Sequence, residues 1–355
     1  MYGGKCTVVK IIKSLRFMSQ PKRKINLVDC TLRDGSYATN FQFSARDTRH
    51  ICRQLEKSGV RTIEVGHGLG LGASSLKYGV AFETDCDYLE AAASVLSESQ
   101  FGAFFIPGIG SKEDIQNARN LGINFIRIGN NVDDIQNARS YVELAKELGL
   151  TVSLNLMKTY AISPSELGQL VNDVKDWGMD AIYVVDSAGC MLPDRVAEYV
   201  KVVCDNCDLS VGFHGHNNLD LANANCLAAV KAGARSVDGT LRGMGRSAGN
   251  AQTEVLAYLL DRAGYECGVD PFVLFETSAK YIEPLMLRPQ GLPSMDVVIG
   301  MSQFHSSYLP RFKRVLSRYE VDIRRLIMAV SQIDCVNPSE ELIESVAKDL
   351  SRIDE

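Results

Sequence analysis

The sequence predicts an α/β fold, a (β/α)₈ barrel followed by a small helical C-terminal domain. From Ile25 onward, short β-branched runs alternate with longer amphipathic stretches, which is typical of repeated βα units. The alternation occurs eight times in one run, whereas a doubly wound sheet of similar length would normally show fewer strands or a topological break. One barrel uses about 250 residues, so a chain of 355 leaves room for an appended domain.

The eight strand-like runs account for the whole of the predicted barrel. They lie at 25–29, 62–65, 101–106, 125–128, 151–156, 181–185, 210–214 and 235–239. Each is followed by a helix candidate, and the clearest of these spans 133–148, where Ile135, Ala138, Val142 and Ala145 recur at helical spacing. The barrel is expected to close near Ala263.

The pattern divides the chain into three segments. Residues 1–23 form a basic tail, 24–264 the barrel domain and 265–355 the helical C-terminal domain. Helix patterns follow the last strand at 271–286, 309–319, 322–333 and 340–352. The tail contains no acidic residue, and Lys10 and Lys13 interrupt any apolar run, so neither a signal peptide nor a membrane span is predicted.

Charge and cysteine usage narrow the class of partner. The 38 basic and 43 acidic residues nearly balance, which gives no electrostatic footprint for nucleic acid and favours small molecules and other subunits. Ten cysteines without a disulfide-framework spacing indicate a reducing, cytoplasmic setting. Cys204 and Cys207 form a CxxC, but with no second pair nearby they are interpreted as a helix end rather than a zinc or redox site.

Polar residues at the strand ends are the first candidates for the active site, because active sites of such barrels lie at the C-terminal ends of the strands. The first run ends in TLRDG, which places Arg33 and Asp34 side by side in a turn. The seventh ends in HGHNN, where His214 and His216 stand two residues apart and so project to the same side of an extended chain. Asp34 with these two imidazoles suits Mn²⁺, Mg²⁺, Fe²⁺, Co²⁺ or Zn²⁺ and leaves positions for substrate oxygens.

Two glycine-rich segments are candidate substrate loops. RGMGRSAGNA follows the eighth run and ends near Asn250; its spacing is not that of a Walker loop, so it predicts a closing loop or an amide that reaches toward the metal. EVGHGLGLGASSLKYG begins at the end of the second run and predicts a pocket-lining loop; the residues it supplies are Glu64, His67, Ser74, Ser75 and Tyr78.

Together, five motifs resemble the superfamily of 3-hydroxy-3-methylglutaryl-CoA lyase, isopropylmalate synthase and 4-hydroxy-2-oxovalerate aldolase. They are TLRDG, EVGHG…SS…YG, VVDSAG, HGHNNLDLANANCLAAVKAGA and GMGRSAGNA, in the family's order. The resemblance implies a metal-dependent barrel in which Asp34, His214 and His216 are ligands and Arg33 is the family arginine. Manganese is the expected ion, ahead of magnesium, cobalt or zinc.

Within this superfamily the chain looks most like the 4-hydroxy-2-oxovalerate aldolases, lyases that cleave their substrate to pyruvate and acetaldehyde. Tyr37 stands where the synthases have glutamine and where the aldolases have a histidine base. His305, in FHSSYL, stands where the aldolases have the tyrosine that partners this histidine. We expect the exchanged residues to remain a proton-transfer pair, with His305 the base, because imidazole titrates near neutral pH and a phenol near ~10.

The resemblance also implies further roles and partners. Ser187 resembles a family residue near the substrate carboxylate, although it could equally cap the following turn. The related aldolases pass their aldehyde to an acylating aldehyde dehydrogenase docked through the helical domain, and homo-oligomers are expected.

Three rival functions remain open. A Claisen-type synthase would join an acyl-CoA to a 2-oxo acid in the same metal site. A Schiff-base aldolase would use Lys158, the plausible lysine after the fifth run. The altered residue at Tyr37 also leaves room for a non-catalytic barrel that serves as a binding scaffold.

Overall fold

Eight parallel strands form a closed barrel in the computed structural model, which describes residues 22–354. The strands follow one another around the barrel in sequence order, and β1 closes it by pairing with β8. Their bounds are β1 Asn26–Asp29, β2 Thr62–Glu64, β3 Gln100–Phe105, β4 Phe125–Asn131, β5 Thr151–Met157, β6 Ala181–Asp186, β7 Ser210–Gly215 and β8 Ser236–Gly239. Each overlaps its predicted run, so the predicted (β/α)₈ TIM barrel is confirmed.

A helix follows each strand and covers the outside of the barrel. These helices are α1 Ala45–Ser58, α2 Asp85–Ala93, α3 Lys112–Asn120, α4 Arg139–Glu147, α5 Pro164–Val174, α6 Pro193–Asn206, α7 Ala222–Ala232 and α8 Thr253–Arg262. Capping boxes begin α1, α2, α3 and α5, so local sequence fixes where these helices start. Helix α6 ends directly before Cys207, in keeping with the helix-end interpretation of the CxxC.

The helix predicted over 133–148 is wrong in its first half. A 3₁₀ helix occupies Val132–Ala138, and α4 begins only at Arg139. Asp134 has non-helical angles, φ −136° and ψ 29°, and its carbonyl accepts a hydrogen bond from the Asn130 side chain. The side-chain amide thus competes with the regular helical hydrogen bonds, which periodicity alone does not reveal.

Helices continue beyond the barrel. They are α9 Pro271–Thr277, α10 Ser294–Met301, α11 Leu309–Leu316, α12 Ile323–Ser331 and α13 Glu340–Asp354. A π turn at Ser278–Ile282 and a 3₁₀ turn at Glu283–Leu285 prolong α9, as the predicted helix 271–286 implied. Helix α10 was not predicted, because only a short apolar run follows the prolines there.

Two apolar cores organise these elements. Leu274 and Ile282 belong to the core of the barrel, and α9 packs on α1 and α8. A second core, which includes Ile299, Phe304 and Phe312, is formed by α10 to α13. The domain boundary at 264 stays a prediction, and this packing favours a later one.

The predicted basic tail falls almost entirely outside the described residues, which include only Lys22 and Arg23 of it. Within 22–354, no helix is both long enough and apolar enough to cross a membrane.

Candidate active site

A cavity of about 180 Å³ opens at the C-terminal ends of the barrel strands. Seven of the predicted site residues line it: Arg33, Asp34, Tyr37, Ser187, His214, His216 and His305. His305 comes from the segment between α10 and α11, so the helices after the barrel complete the wall of this cavity.

Asp34, His214 and His216 come together as the sequence predicted. Asp34 Oδ2 lies 3.2 Å from His214 Nε2 and 3.9 Å from His216 Nε2, and the three ligand atoms lie within 4.8 Å of one another. Asp34 Oδ1 is buried and has no hydrogen-bond partner within 22–354. One carboxylate and two imidazoles are a donor set that divalent transition metals accept, so these residues fit a metal ion.

The hydrogen bonds at Nδ1 of both histidines direct Nε2 toward a ligand. His214 Nδ1 lies 2.9 Å from Asp238 Oδ2, and His216 Nδ1 lies 3.2 Å from the carbonyl oxygen of Gly249. Each acceptor favours a proton on Nδ1, which puts the lone pair of neutral imidazole on Nε2, the nitrogen that faces Asp34.

A series of buried ion pairs connects Asp34 with His214 through the barrel interior. Arg33 contacts Asp34 at 3.2 Å and Glu64 at 2.7 Å. Arg127, in turn, contacts Glu64 at 3.4 Å and Asp238 at 2.5 Å. Since Asp238 also bonds His214, this series of ion pairs begins at one proposed metal ligand, Asp34, and ends at another, His214.

Sequence reasoning missed Arg127 and Asp238, two interior members of this series of ion pairs, and singled out Glu64 only as part of the pocket-lining segment at the end of the second run. The one signal for Arg127 and Asp238 is a single charged residue inside each of the strands β4 and β8. A charge in a strand of a buried parallel sheet needs a partner, but the sequence does not show which one.

The charges around the ligands shift their pKa values in different directions. Burial alone would raise the pKa of Asp34, but Arg33 and the two histidines hold it well below the usual range. Burial alone would lower the pKa of His214, but hydrogen bonds to Asp238 and Asp34 raise it. For His216, burial and the neighbouring Arg246 both lower the pKa, and it falls well below the usual value.

Arg246 is a cavity residue that sequence reasoning overlooked, although its glycine-rich loop was singled out. Its Nη2 donates to the carbonyl oxygen of Ser187 at 3.0 Å and lies 3.0 Å from His216 Nε2. Its Nη1 donates to Ser306 Oγ at 2.6 Å. A metal ion on His216 Nε2 would replace one of these contacts and free an N–H of Arg246.

Tyr37 and His305 share the cavity wall, and among the described residues no hydrogen bond joins them. Burial raises the pKa of Tyr37 to about 12. A Cβ atom at Gly68 would lie 2.5 Å from the ring of Tyr37, so glycine permits this approach. Burial, followed by Arg246 and Lys158, lowers the pKa of His305 well below the usual value, so its imidazole is neutral at neutral pH.

His67 and Tyr78 do not line the cavity. His67 is buried, with Nδ1 accepting from the Leu69 N–H at 3.1 Å and Nε2 lying 3.2 Å from the Gly79 carbonyl oxygen. Its ring stacks on Phe41 at 4.2 Å. Tyr78 is half-buried beneath the Lys77 ammonium. Both side chains contribute to the packing of the loop that borders the site.

Asn250 lies behind the cavity wall. Its Nδ2 donates to the Met244 carbonyl oxygen at 2.9 Å, while its Oδ1 is buried and has no hydrogen-bond partner among the described residues. Its backbone forms an isolated bridge with His216. Asn250 therefore supports His216 directly after the end of β7.

Lys158 lies in the cavity next to Ser187. The Lys158 N–H donates to Ser187 Oγ at 3.0 Å. The Lys158 ammonium donates to the Tyr308 hydroxyl at 2.8 Å and to the Val336 carbonyl oxygen at 3.0 Å. The structure thus brings the candidate Schiff-base lysine into the same cavity as the metal-ligand candidates.

Comparison with known proteins assigns the chain to a family. Residues 24–280 match the model of the HMGL-like family. The chain is 40% identical over 329 residues to 4-hydroxy-2-oxovalerate aldolase 2 of Rhodococcus jostii, covering 93% of this chain and 96% of that relative. It is 37% identical over 330 residues to the 4-hydroxy-2-oxovalerate aldolase of Carboxydothermus hydrogenoformans, covering 93% and 98%.

Solved structures share the architecture. The N-terminal domain of a protein from Bacteroides vulgatus matches with a TM-score of 0.69 and 25% identity, over 81% of this chain and 96% of that one. The carboxyl transferase domain of Rhizobium etli pyruvate carboxylase, with pyruvate, matches with a TM-score of 0.75 and 17% identity, over 94% and 63%, a likeness in fold alone. The chain therefore belongs to the HMGL-like family, as one of its 4-hydroxy-2-oxovalerate aldolase-like members.

Proposed function

We propose that this chain cleaves, or in reverse forms, a 4-hydroxy-2-oxo acid, with pyruvate and an aldehyde as the other side of the reaction. The convergence of Asp34, His214 and His216 beside Arg33 carries the proposal. Relatives named 4-hydroxy-2-oxovalerate aldolase that align over nearly the whole chain support the same reaction class.

Asp34, His214 and His216 would hold the divalent ion. Mn²⁺ is our first choice, with Mg²⁺, Co²⁺ and Zn²⁺ as alternatives. Such an ion polarises a carbonyl group and stabilises the negative charge of an enolate.

Arg33 is proposed to stabilise the same developing charge. Its Nε is held by Glu64 at 2.7 Å, and its guanidinium lies over the Phe104 ring, 4.6 Å from the centroid. These contacts fix the planar group at the cavity wall. A guanidinium stays cationic and donates its hydrogen bonds in a fixed, planar geometry, so it can stabilise an oxyanion without reorganising.

His305 is proposed as the base and Tyr37 as its proton-transfer partner. In cleavage, His305 would accept the proton of the 4-hydroxyl group. The C3–C4 bond then breaks, the new carbonyl leaves as the aldehyde, and the electron pair remains on the pyruvate enolate, which takes a proton at C3. A lowered pKa leaves the His305 imidazole unprotonated at neutral pH, which is the form that a base requires. Ser187, on the cavity wall, is proposed to face the substrate carboxylate.

We further propose that this enzyme is cytoplasmic, forms homo-oligomers and docks an acylating aldehyde dehydrogenase. None of the nine described cysteines is paired, which suits a reducing compartment. Phe272, on α9, is 75% exposed, and Phe275 and Leu287 are exposed nearby, so the helices after the barrel offer apolar surface to another chain.

The proposal is tested by metal analysis and pyruvate release on the purified chain. With 4-hydroxy-2-oxovalerate as substrate, release should require a divalent ion, stop after chelation and return on adding Mn²⁺. Asp34→Asn should lose both bound metal and turnover, whereas Asp205→Asn, at an exposed carboxylate, should lose neither. Metal-independent release would overturn the proposal.

Two further assays separate the rival reactions. Borohydride with substrate would fix an imine on Lys158 covalently and so reveal a Schiff-base aldolase. Thiol release from acetyl-CoA in the presence of a 2-oxo acid would reveal a Claisen-type synthase. A chain that binds metal but gives none of these activities would be a non-catalytic scaffold.

A further inference from the structure

We infer that the aldehyde half of the substrate carries an anionic group, a carboxylate or a phosphate, which Lys158 and Arg246 bind together. The inference rests on the proposed aldolase function and names the substrate class of its cavity. The anionic group takes no part in bond breaking and leaves unchanged with the aldehyde.

Lys158 is a buried cation without a counter-charge. Its side chain lines the cavity, and the residue is only 4% exposed. The ammonium donates to one phenol and one carbonyl oxygen, both neutral, and within 22–354 no carboxylate forms an ion pair with it. Burying an ammonium is energetically costly unless an anion pairs with it, so this position favours an anionic ligand.

Arg246 is a second cation of the same kind. It donates to the Ser187 carbonyl oxygen and to Ser306 Oγ, and it contacts His216 Nε2, all uncharged groups when the histidine is neutral. It too has no ion pair with a carboxylate of the described residues. A guanidinium held at a cavity wall suits bidentate recognition of a carboxylate or phosphate.

Arg33 differs from these two cations, because acids already neutralise it. Glu64 lies 2.7 Å from its Nε and Asp34 lies 3.2 Å from its Nη1. The carboxylate of a 2-oxo acid beside the metal ligands accounts for one anion. The charges of Lys158 and Arg246 then remain for another.

Lys158 stands across the barrel from Arg33, and Arg246 extends from the proposed metal ligand His216 to the segment before α11. Arg33 follows β1, whereas Lys158 follows β5, which stands across the closed barrel from β1. Arg246 follows β8 but reaches Ser187, which follows β6, and Ser306 in the segment before α11. Lys158 bonds Tyr308 and Arg246 bonds Ser306, both in the turn that begins after His305. Because His305 is proposed to take the proton of the 4-hydroxyl group, a ligand with its 2-oxo acid end near Arg33 has its aldehyde half beside these two cations.

Direct binding tests the anion site without turnover. Metal-stripped protein is titrated calorimetrically with succinate and, separately, with inorganic phosphate. We expect wild type to bind at least one, and Lys158→Met and Arg246→Gln each to weaken that binding by about tenfold or more. Lys201→Met, at an exposed lysine paired with Asp205, is the matched control and should bind as wild type does. The tighter probe identifies the group as carboxylate or phosphate.

Aldehyde selectivity tests the substrate class. In the addition direction with pyruvate, succinic semialdehyde is compared with butanal, and glyceraldehyde 3-phosphate with glyceraldehyde. We expect one anionic aldehyde to exceed its neutral counterpart in kcat/KM by about tenfold or more, and both variants, checked for native circular dichroism, to reduce this ratio. Lys201→Met should keep the ratio.

The two assays also separate the inference from the proposed function. Wild type that binds neither anion, or variants that raise only the KM of pyruvate and leave the ratio unchanged, would overturn the inference. If neutral aldehydes react as well as anionic ones, the inference alone fails. If no aldehyde reacts while the anion binds through Lys158 and Arg246, the aldolase proposal fails and the anion site stands.

Discussion

His214 and Asp238 form a buried hydrogen bond of 2.9 Å between Nδ1 and Oδ2, and it turns the other nitrogen of the ring toward Asp34. Asp238 is itself held by Arg127 at 2.5 Å. Carboxylates behind a ligating histidine fix its tautomer and orientation, and their loss typically costs ~10–100-fold in metal affinity or activity. Asp238 is therefore a positioning residue for the proposed metal site.

The first prediction concerns Asp238→Asn. The amide cannot fix the Nδ1 proton as a carboxylate does, so Mn²⁺ affinity measured by calorimetry should fall by about 10–100-fold. Turnover at saturating Mn²⁺ should recover in part, which a general loss of folding would not allow. Asp205→Asn serves as the control at an exposed acid. Unchanged Mn²⁺ affinity in Asp238→Asn would remove its positioning role.

The fold and the family could be predicted from the sequence because the fold depends on local hydrophobic periods and the family on motifs in a fixed order. Periods of hydrophobicity mark the strands, and the model of the HMGL-like family and the aligned relatives confirm the family resemblance carried by the TLRDG and HGHNN motifs. His214 and His216 face one side because of their spacing alone, and Asp34 joins them because all barrel strands end at the same face.

Other parts of the site depend on contacts between distant strands, which spacing does not contain. Arg127 meets both Glu64 and Asp238 only because β2, β4 and β8 point these side chains into one barrel interior. Arg246 reaches His216 through the fold of its own loop. His67 does not line the cavity. Its two ring nitrogens contact the backbone of its own loop, which the spacing of residues does not show either.

The second prediction concerns Arg33→Lys, which keeps the charge but loses the planar fork and the bond from Nε to Glu64. The planar guanidinium is proposed to stabilise the negative charge that develops as the C3–C4 bond breaks. We therefore expect kcat to fall by about 10²–10³-fold, with little change in bound metal. Pyruvate release and metal analysis measure the two quantities. Arg61→Lys, at an exposed pair with Glu98, should leave both unchanged. A kcat within a few-fold of wild type would contradict the role of Arg33.

The third prediction concerns the exchanged pair, His305 and Tyr37. The base must be unprotonated, and burial together with Arg246 and Lys158 lowers the pKa of His305 well below the usual value. The acid limb of kcat/KM should therefore lie below pH ~6.5, the ordinary value for histidine, and activity should persist down to a more acidic pH than an exposed histidine would allow.

Variants decide between the two residues of this pair. His305→Ala should slow turnover by about 10²-fold or more and remove the acid limb assigned to His305, while His50→Ala, at a histidine that stacks on Tyr281, should do neither. Tyr37, with its pKa raised to about 12, should contribute no basic limb below pH ~10. If His305→Ala keeps full turnover and Tyr37→Phe abolishes it, the assignment of the base is wrong.

The last prediction concerns stability and Asp29, a fully buried acid at the end of β1. Burial raises its pKa to about 6, although its carboxylate accepts hydrogen bonds from the Thr31 N–H at 3.0 Å and the Thr253 hydroxyl at 2.7 Å. Because the folded state binds this proton more tightly than the unfolded chain, the charged form is destabilising above pH 6. That cost disappears as the pH falls from about 6 to about 4.

The measurable consequence is a difference between wild type and Asp29→Asn in the metal-free protein. The asparagine does not titrate, so the free energy of unfolding of wild type minus that of the variant should rise by about 2–3 kcal/mol between pH 7 and pH 4.5 or below. Urea unfolding at each pH gives this difference, and titrations common to both proteins cancel in it. A difference that stays constant, or that falls as the pH is lowered, would mean that Asp29 is charged throughout this range and that Thr31 and Thr253 outweigh its burial.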